Sequence, residues 1–191
     1  MSAVNIVIPV REGGNPETAL RSLATQTFTD FDVIVSWDKQ NNANSARNRG
    51  KRLSNAPFLL FSDDDIKWEP GALELLMRTL EQHPEAAYAY GAYAMGNWIQ
   101  CNRPFSAARL RQTNFISTMS LIRRGCFPGF DEAIPRLQDW DLWLTMLARG
   151  HRGVYCGEQI FTTEKGDGIS YGDGVSHAEA VRIVKEKHQL Q

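Results

Sequence analysis

Three consecutive aspartates, Asp63, Asp64 and Asp65, stand directly behind the apolar run Pro57-Phe58-Leu59-Leu60-Phe61. An apolar run of that length, bounded by a polar cluster, reads as a buried strand. Carboxylates at the carboxyl end of such a strand lie where open α/β sheets bind ligands. Three adjacent negative charges repel one another, so a fold that packs them tightly needs a compensating cation. Mg²⁺ or Mn²⁺ suits oxygen ligands and also grips phosphates. The same residues also suit a solvated acidic turn ahead of a helix, since Asp favours turns and helix starts.

The flanking sequence alternates strand and helix patterns. Val4-Asn5-Ile6-Val7-Ile8 predicts a strand that stops at Pro9. Gly13-Gly14-Asn15-Pro16 predicts a loop, with Pro16 opening a helix that carries Leu20, Leu23 and Ala24 on one face. Phe31 to Val35 predicts a second strand. Ala43 to Leu53 predicts a helix with the small residues Ala46 and Gly50 toward the sheet, and Phe58 to Phe61 is the third strand. Pro70 starts a helix in which Leu73, Leu76, Met77 and Leu80 follow helical spacing. Ala86 to Tyr90 is a fourth, weaker strand. Such strand–helix units argue for a parallel sheet with crossover helices.

The second half is less regular. Residues 94–114 show no clean period and predict loops or edge strands, and Asn114 to Ile122 suits a strand. Leu137, Trp140, Leu144 and Leu147 again show helical spacing, with Gly150 as the stop. No element is assigned between Gly150 and His177. His177, Val181, Val184 and His188 mark a last amphipathic helix, in which both histidines read as stripe or surface members rather than ligands.

A chain of 191 residues favours one domain with one substantial core. The net charge of −1 neither suggests nor excludes a polyanionic partner. Cys101, Cys126 and Cys156 are widely spaced and odd in number, so neither a zinc knuckle nor a disulfide framework is indicated. Idle thiols fit a reducing compartment. The first residues lack a signal-peptide pattern, and no apolar run reaches membrane-spanning length. The expectation is a cytoplasmic protein without a transmembrane segment; no feature specifies an oligomeric state.

The order of motifs resembles the family 2 glycosyltransferases of GT-A fold. The resemblance rests on Ile6-Val7-Ile8-Pro9-Val10, on Ser22-Leu23-Ala24-Thr25-Gln26-Thr27, and on Phe31 through Trp37-Asp38. It continues through Ala46-Arg47-Asn48-Arg49-Gly50, an A-R-N-x-G helix, and Asp63-Asp64-Asp65 at the D-x-D motif, followed by Pro70-Gly71-Ala72-Leu73-Glu74. Phe130-Asp131-Glu132 matches an F-D-E element, and Gln138-Asp139-Trp140-Asp141-Leu142-Trp143-Leu144 matches an E-D-x-D-L-W-L block. Together they cover about residues 4–150.

The resemblance implies a GT-A type fold: α/β, with a Rossmann-like, open, twisted, mostly parallel sheet flanked by helices. Residues 1–93 would form the nucleotide-sugar-binding half, and residues 94–191 the acceptor-binding half with the C-terminal helix. It implies metal-dependent, inverting transfer of a sugar from a UDP- or GDP-type donor to an acceptor hydroxyl. Pro9, Val10, Arg11, Asp38, Arg47, Asp63 and Asp64 would bind the nucleotide sugar. Asp65, with Asp63, would hold Mn²⁺ or Mg²⁺, and Asp64 would point away if the segment stays extended. Asp38, beside Pro9, would take a hydrogen bond from the base. Arg47 would reach the diphosphate or pair with the acidic cluster. Asp139 would be the general base, Trp140 would face the acceptor, and Asp141 would be structural or face the acceptor. The chain departs from the family pattern at Trp37, where a second aspartate is usual, and at Gln138, where Glu is usual. It also lacks a late histidine over Phe161 to Gly166, where Glu164 or a more distant His177 would have to substitute.

One feature stands apart from the resemblance. Residues 86–130 contain no Asp or Glu, yet carry Arg103, Arg109, Arg111, Arg123 and Arg124. Arginines grip phosphate bidentately. Arg103, Arg109 and Arg111, in the irregular stretch, suggest an acceptor bearing phosphate: a glycan, a lipid phosphate or a nucleic acid. Solvated arginines paired with acids elsewhere are the other reading. Two other function classes compete: a non-catalytic nucleotide-sugar or glycan-binding domain, and a phosphoacceptor domain. The second needs acids after the first strand, which Pro9-Val10-Arg11-Glu12 fits poorly.

Overall fold

The computed structural model describes residues 2–38, 42–163 and 175–190. Its first strand, β1 (Val4–Arg11), runs through Pro9 instead of stopping there. β1 lies between β2 (Phe31–Asp38) and β3 (Phe58–Phe61) and is parallel to both. The carbonyl of Val7 accepts the Ser62 N–H on the β3 side. Pro9, two residues on, turns its nitrogen to that same side, where β3 has already ended at Phe61. Its missing N–H therefore costs no ladder bond.

Each of these strands is followed by a helix: α1 (Glu17–Leu23), α2 (Ala43–Leu53) and, after the two-residue β4 (Lys67–Trp68), α3 (Ala72–Gln82). Alternation along β1 sorts its side chains to two faces. Val4, Ile6, Ile8 and Val10 join Leu23, Leu73, Leu76 and Leu80 in one core. Val7 joins Leu59, Phe61, Tyr88, Trp140 and Trp143 in the other. A run this uniformly buried is what a strand covered on both faces requires. α2 approaches the sheet closely, because a Cβ on Gly50 would lie 2.3 Å from Val7 Cγ1.

The rest comprises β5 (Tyr88–Met95), β6 (Trp98–Gln100), α4 (Ala107–Gln112), β7 (Leu121–Arg123), α5 (Gln138–Ala148), β8 (Gly153–Thr163) and α6 (His177–Lys187). The strand order is β2-β1-β3-β7-β5-β8-β4, with β6 added to β5. The long ladders β1–β2, β1–β3 and β5–β8 are parallel. The short ones that join the halves are antiparallel. This is an α/β fold with a mixed sheet, parallel in its main ladders and flanked by helices.

Three expectations change. The strand expected over Asn114 to Ile122 is short and begins only at Leu121. The weak strand at Ala86 to Tyr90 continues to Met95 as a sheet strand buried over its first half. β8 fills a stretch to which no element was assigned. Its ladder with β5 shifts register near Tyr90 and Ala92, and Gly157 there has φ of 90°. Such irregularities break the period-2 pattern by which strands are read.

Between β6 and β7 the chain leaves the sheet. Its backbone carbonyls are held by buried aromatic donors. Tyr90 Oη donates to Arg103 O at 2.9 Å, Trp140 Nε1 to Leu110 O at 2.6 Å and Trp143 Nε1 to Ile116 O at 2.9 Å. Buried irregular backbone needs such partners. No described helix is long and apolar enough to cross a membrane.

Candidate active site

A cavity of about 1020 Å³ opens over the carboxyl ends of β1, β2 and β3, and both halves of the chain line it. Pro9, Arg11, Asp38, Arg47 and all three of Asp63, Asp64 and Asp65 reach it from the first half. Asp139, Arg103 and Arg109 reach it from the second.

The acidic triplet does not stay extended. The chain turns at Asp64 and Asp65, so Asp64 faces the cavity with its neighbours rather than away from them. Burial, then the charge of Asp63, raises the pKa of Asp64. The same two causes, with Asp64 added, raise that of Asp65. Asp63 is compensated differently: Arg47 Nη2 donates to its Oδ1 at 2.7 Å. Arg47 is buried, also donates to Asn44 Oδ1 at 3.3 Å, and leaves Nε without a partner. Of the two expected roles for Arg47, the geometry supports pairing with the acidic cluster.

α2 explains why these residue types follow one another. Ala46 and Gly50 give close contact with the sheet, Arg47 turns to the acids, and Asn48 turns to the F-D-E element. Asn48 Nδ2 donates to Phe130 O at 2.9 Å and its Oδ1 accepts the Phe130 N–H at 2.9 Å. Asn44 Nδ2 donates to Asp131 O at 2.9 Å. Asp38 ends β2 opposite Arg11 in register, not opposite Pro9, which pairs with Ser36. Trp37 is half exposed.

Asp139 begins α5 after Leu137, which holds a left-handed φ of 61°. Its Oδ1 accepts the Trp140 N–H at 2.9 Å, and its Oδ2 accepts Asn114 Nδ2 at 2.7 Å. Burial raises its pKa. The bonds from Trp140 and Asn114, and the charge of Arg47, oppose the shift without cancelling it. The helix start therefore does not decide the basicity of Asp139; desolvation does. Each carboxylate oxygen keeps a second lone pair for an incoming hydroxyl. Nearby, burial and then the charge of Asp139 push the Cys101 thiol up to about 12, so it stays protonated.

Four expected site residues lie elsewhere. Val10 is buried in the core among Ile8, Leu23 and Leu73. Trp140 is buried, its indole committed to Leu110. Asp141 points into the fold, where Lys187 Nζ and His188 Nε2 lie 2.7 Å and 2.8 Å from its Oδ1. Arg111 is exposed on the outer face of α4 and does not line the cavity. Arg123 donates to the carbonyls of Ala86 and Leu80 and belongs to the framework. Sequence reading missed Asn114 and Arg136, which line the cavity and whose only signal was proximity to Asp139 in chain or space; Gln138, read only as a departure from the family pattern, lines it too. His177 also reaches the rim. Glu164 lies outside the described residues.

The family profile described as glycosyl transferase family 2 matches residues 7–125, more than half of the chain. The chain belongs to glycosyl transferase family 2. A relative described as an uncharacterized glycosyltransferase, from Rickettsia bellii (strain RML369-C), is 28% identical over 185 residues. That match covers 73% of this chain and 26% of the relative, so the chain spans about a quarter of its length. The fold matches that of S. aureus TarS. With TarS 1–349 in complex with UDP-GlcNAc the TM-score is 0.78 at 16% identity, covering 98% of this chain and 66% of that one. With a longer TarS chain the TM-score is 0.69 at 14% identity, over 98% and 39%.

Proposed function

We propose that this chain catalyses metal-dependent, inverting transfer of a sugar from a nucleotide-diphosphate sugar to an acceptor hydroxyl. One observation carries the reading. A carboxylate of raised basicity, Asp139, and the carboxylates of Asp38, Asp63, Asp64 and Asp65 face one cavity from opposite halves of the chain. The likeness to TarS bound to UDP-GlcNAc puts a UDP-sugar first among donors to try.

Among the described residues, no group of three or more His, Cys, Asp or Glu converges as a ready-made metal cage. The donor set still fits a hard cation, since Mg²⁺ is commonly held by one or two carboxylates together with substrate phosphates. Asp65 would be the main ligand. Asp63 would add Oδ2, its Oδ1 being bonded to Arg47. A bound Mn²⁺ or Mg²⁺ would supply charge neutralisation at the leaving diphosphate.

The remaining steps belong to the chain. Asp38 and Pro9 would border the nucleoside at the ends of β2 and β1. Asp139 would take the proton from the acceptor hydroxyl as its oxygen bonds to the anomeric carbon. The bond from that carbon to the diphosphate oxygen breaks on the opposite face, so configuration inverts. Asn114 and the Trp140 N–H hold the carboxylate in one orientation. Its raised pKa brings its proton affinity closer to that of a working base near neutral pH.

The test is calorimetry of UDP-sugars and GDP-sugars with and without Mn²⁺, followed by turnover of the donor that binds. Asp139→Asn should keep donor affinity and lose transfer. Full turnover in that variant would remove Asp139 from the chemistry. Donor binding without transfer or slow donor hydrolysis, in the unaltered chain, would favour a non-catalytic nucleotide-sugar-binding domain.

A further inference from the structure

The acid-free stretch between β5 and the end of the irregular segment contributes arginines to the cavity in a selective way. Arg103 and Arg109 line it; Arg111, two residues further along α4, does not. Neither Arg103 nor Arg109 makes an ion pair with an acid among the described residues, whereas Arg47, Arg21 and Arg182 each do. Both are mounted on fixed backbone. The Arg103 carbonyl is held by the buried Tyr90 hydroxyl at 2.9 Å. Arg109 precedes Leu110, which is buried and whose carbonyl is held by Trp140 Nε1 at 2.6 Å. The anchor Trp140 is the neighbour of Asp139, so Arg109 and the base share one support, while Arg103 is held separately by Tyr90.

Two guanidinium groups without acid partners among the described residues, lining a cavity with a carboxylate base, suit an anion. In the proposed function the donor diphosphate would lie against Asp65 and the ends of β1 to β3. Resting on that glycosyltransferase reading, we infer that Arg103 and Arg109 form an acceptor subsite for phosphate, and that the acceptor carries a phosphate group. Arginine suits this task because its planar fork meets two phosphate oxygens at once. A nucleic acid is the poorer occupant. Such surfaces need a run of cationic contacts along the backbone, and here the next arginine on α4, Arg111, does not line the cavity.

The experiment uses the full chain saturated with UDP and Mg²⁺, so that the donor side is filled. Glycerol 3-phosphate and glycerol are then titrated as matched probes. Glycerol 3-phosphate should bind at least roughly tenfold more tightly than glycerol, the worth of one charge-assisted contact. The preference should shrink when salt is raised, because screening weakens ionic contacts. Arg103→Gln and Arg109→Gln should each weaken glycerol 3-phosphate by roughly fivefold to tenfold, and Arg111→Gln should leave it unchanged. UDP affinity should be the same in all three variants. Equal binding of the two probes would overturn the subsite, as would an equal effect of Arg111→Gln. Tighter binding of a single-stranded oligonucleotide that also depends on Arg111 would replace it with a nucleic-acid surface. If UDP fails to bind while the arginine-dependent phosphate preference persists, the subsite stands and the transferase reading falls.

Discussion

His188 Nε2 lies 2.8 Å from Asp141 Oδ1, which ties the end of α6 to the helix that presents Asp139. Lys187 reinforces the tie by reaching both Asp141 and Asp131 at 2.7 Å. Asp141 is almost fully buried, so removing it leaves two groups without their shared partner. Asp141→Ala should cost about 2 kcal/mol, less than a fully buried pair because Lys187 is partly exposed. Urea unfolding of the two proteins checks the figure. A change within about 0.5 kcal/mol would mean that the tie is solvated and weak.

The same tie has a defined pH dependence. The bond from Lys187 holds the pKa of Asp131 below the usual carboxylate value. Its stabilisation is therefore present above the ordinary carboxylate pKa and is lost as pH falls through the depressed one. For Lys187, burial pulls the pKa down, but the bonds to Asp131 and Asp141 outweigh it and leave it raised. That contribution is lost only as pH rises through the raised amine value. The protection factors of the α6 amides, relative to intrinsic exchange at each pH, should thus stay high across neutral pH and fall in acid. Lys187→Met should speed exchange at neutral pH and remove most of the acid-dependent step.

Asp139→Asn should retain donor affinity while lowering transfer by roughly 10² or more, as expected when a general base is removed. A second variant separates basicity from presence. Asn114 donates to the charged form of Asp139. Asn114→Leu removes that donor and should raise the Asp139 pKa further. The acidic limb of the kcat profile should then move to higher pH. An unmoved limb would show that Asn114 does not tune the base.

The acidic triplet should trade stability for binding. The pKa values of Asp64 and Asp65 are raised by burial and mutual repulsion. The metal-free protein therefore gains stability as pH falls from neutral through those raised values toward the ordinary carboxylate range. Asp65→Asn should raise the metal-free Tm at neutral pH and abolish most of the shift produced by Mn²⁺. A Tm that rises with Mn²⁺ equally in both proteins would place the ion elsewhere.

Gly50→Ala tests the contact between α2 and β1. Its Cβ would sit 2.3 Å from Val7 Cγ1, where neither a helix nor a strand core yields cheaply. The expected cost is about 1–3 kcal/mol, despite the better helix propensity of Ala. Because Arg47 rides on the same helix, donor affinity should fall with stability. Calorimetric unfolding and donor titration check both.

The first half of the fold was legible because its signals are local. Phe58–Phe61 and Ala43–Leu53 read directly from an apolar run and helical spacing, and the acids behind the strand followed. β8 was not legible, since its register shifts and Gly157 scramble alternation. The site residues divide in the same way. Asp38, Asp63 and Asp139 follow strong elements. Val10, Trp140 and Asp141 sit one or two residues from cavity-lining positions and turn inward, which a motif cannot tell apart from facing out. Asn114 was invisible because its bond to Asp139 spans 25 positions of chain with no periodic link.

The excursion between β5 and β7 leaves one sheet strand and returns to its antiparallel neighbour, pairing Ala89 with Leu121. Its two ends are thus set by the framework, whatever lies between them. Under the proposed function, donor-side groups come from β1 to β3 and α2, while the excursion meets the acceptor. Its interior is bound to the core, because the Leu110 and Ile116 carbonyls hold the buried indoles of Trp140 and Trp143. Only the exposed positions between those anchors are open to exchange, and there a new side chain would redirect which hydroxyl meets Asp139 without disturbing the parallel ladders.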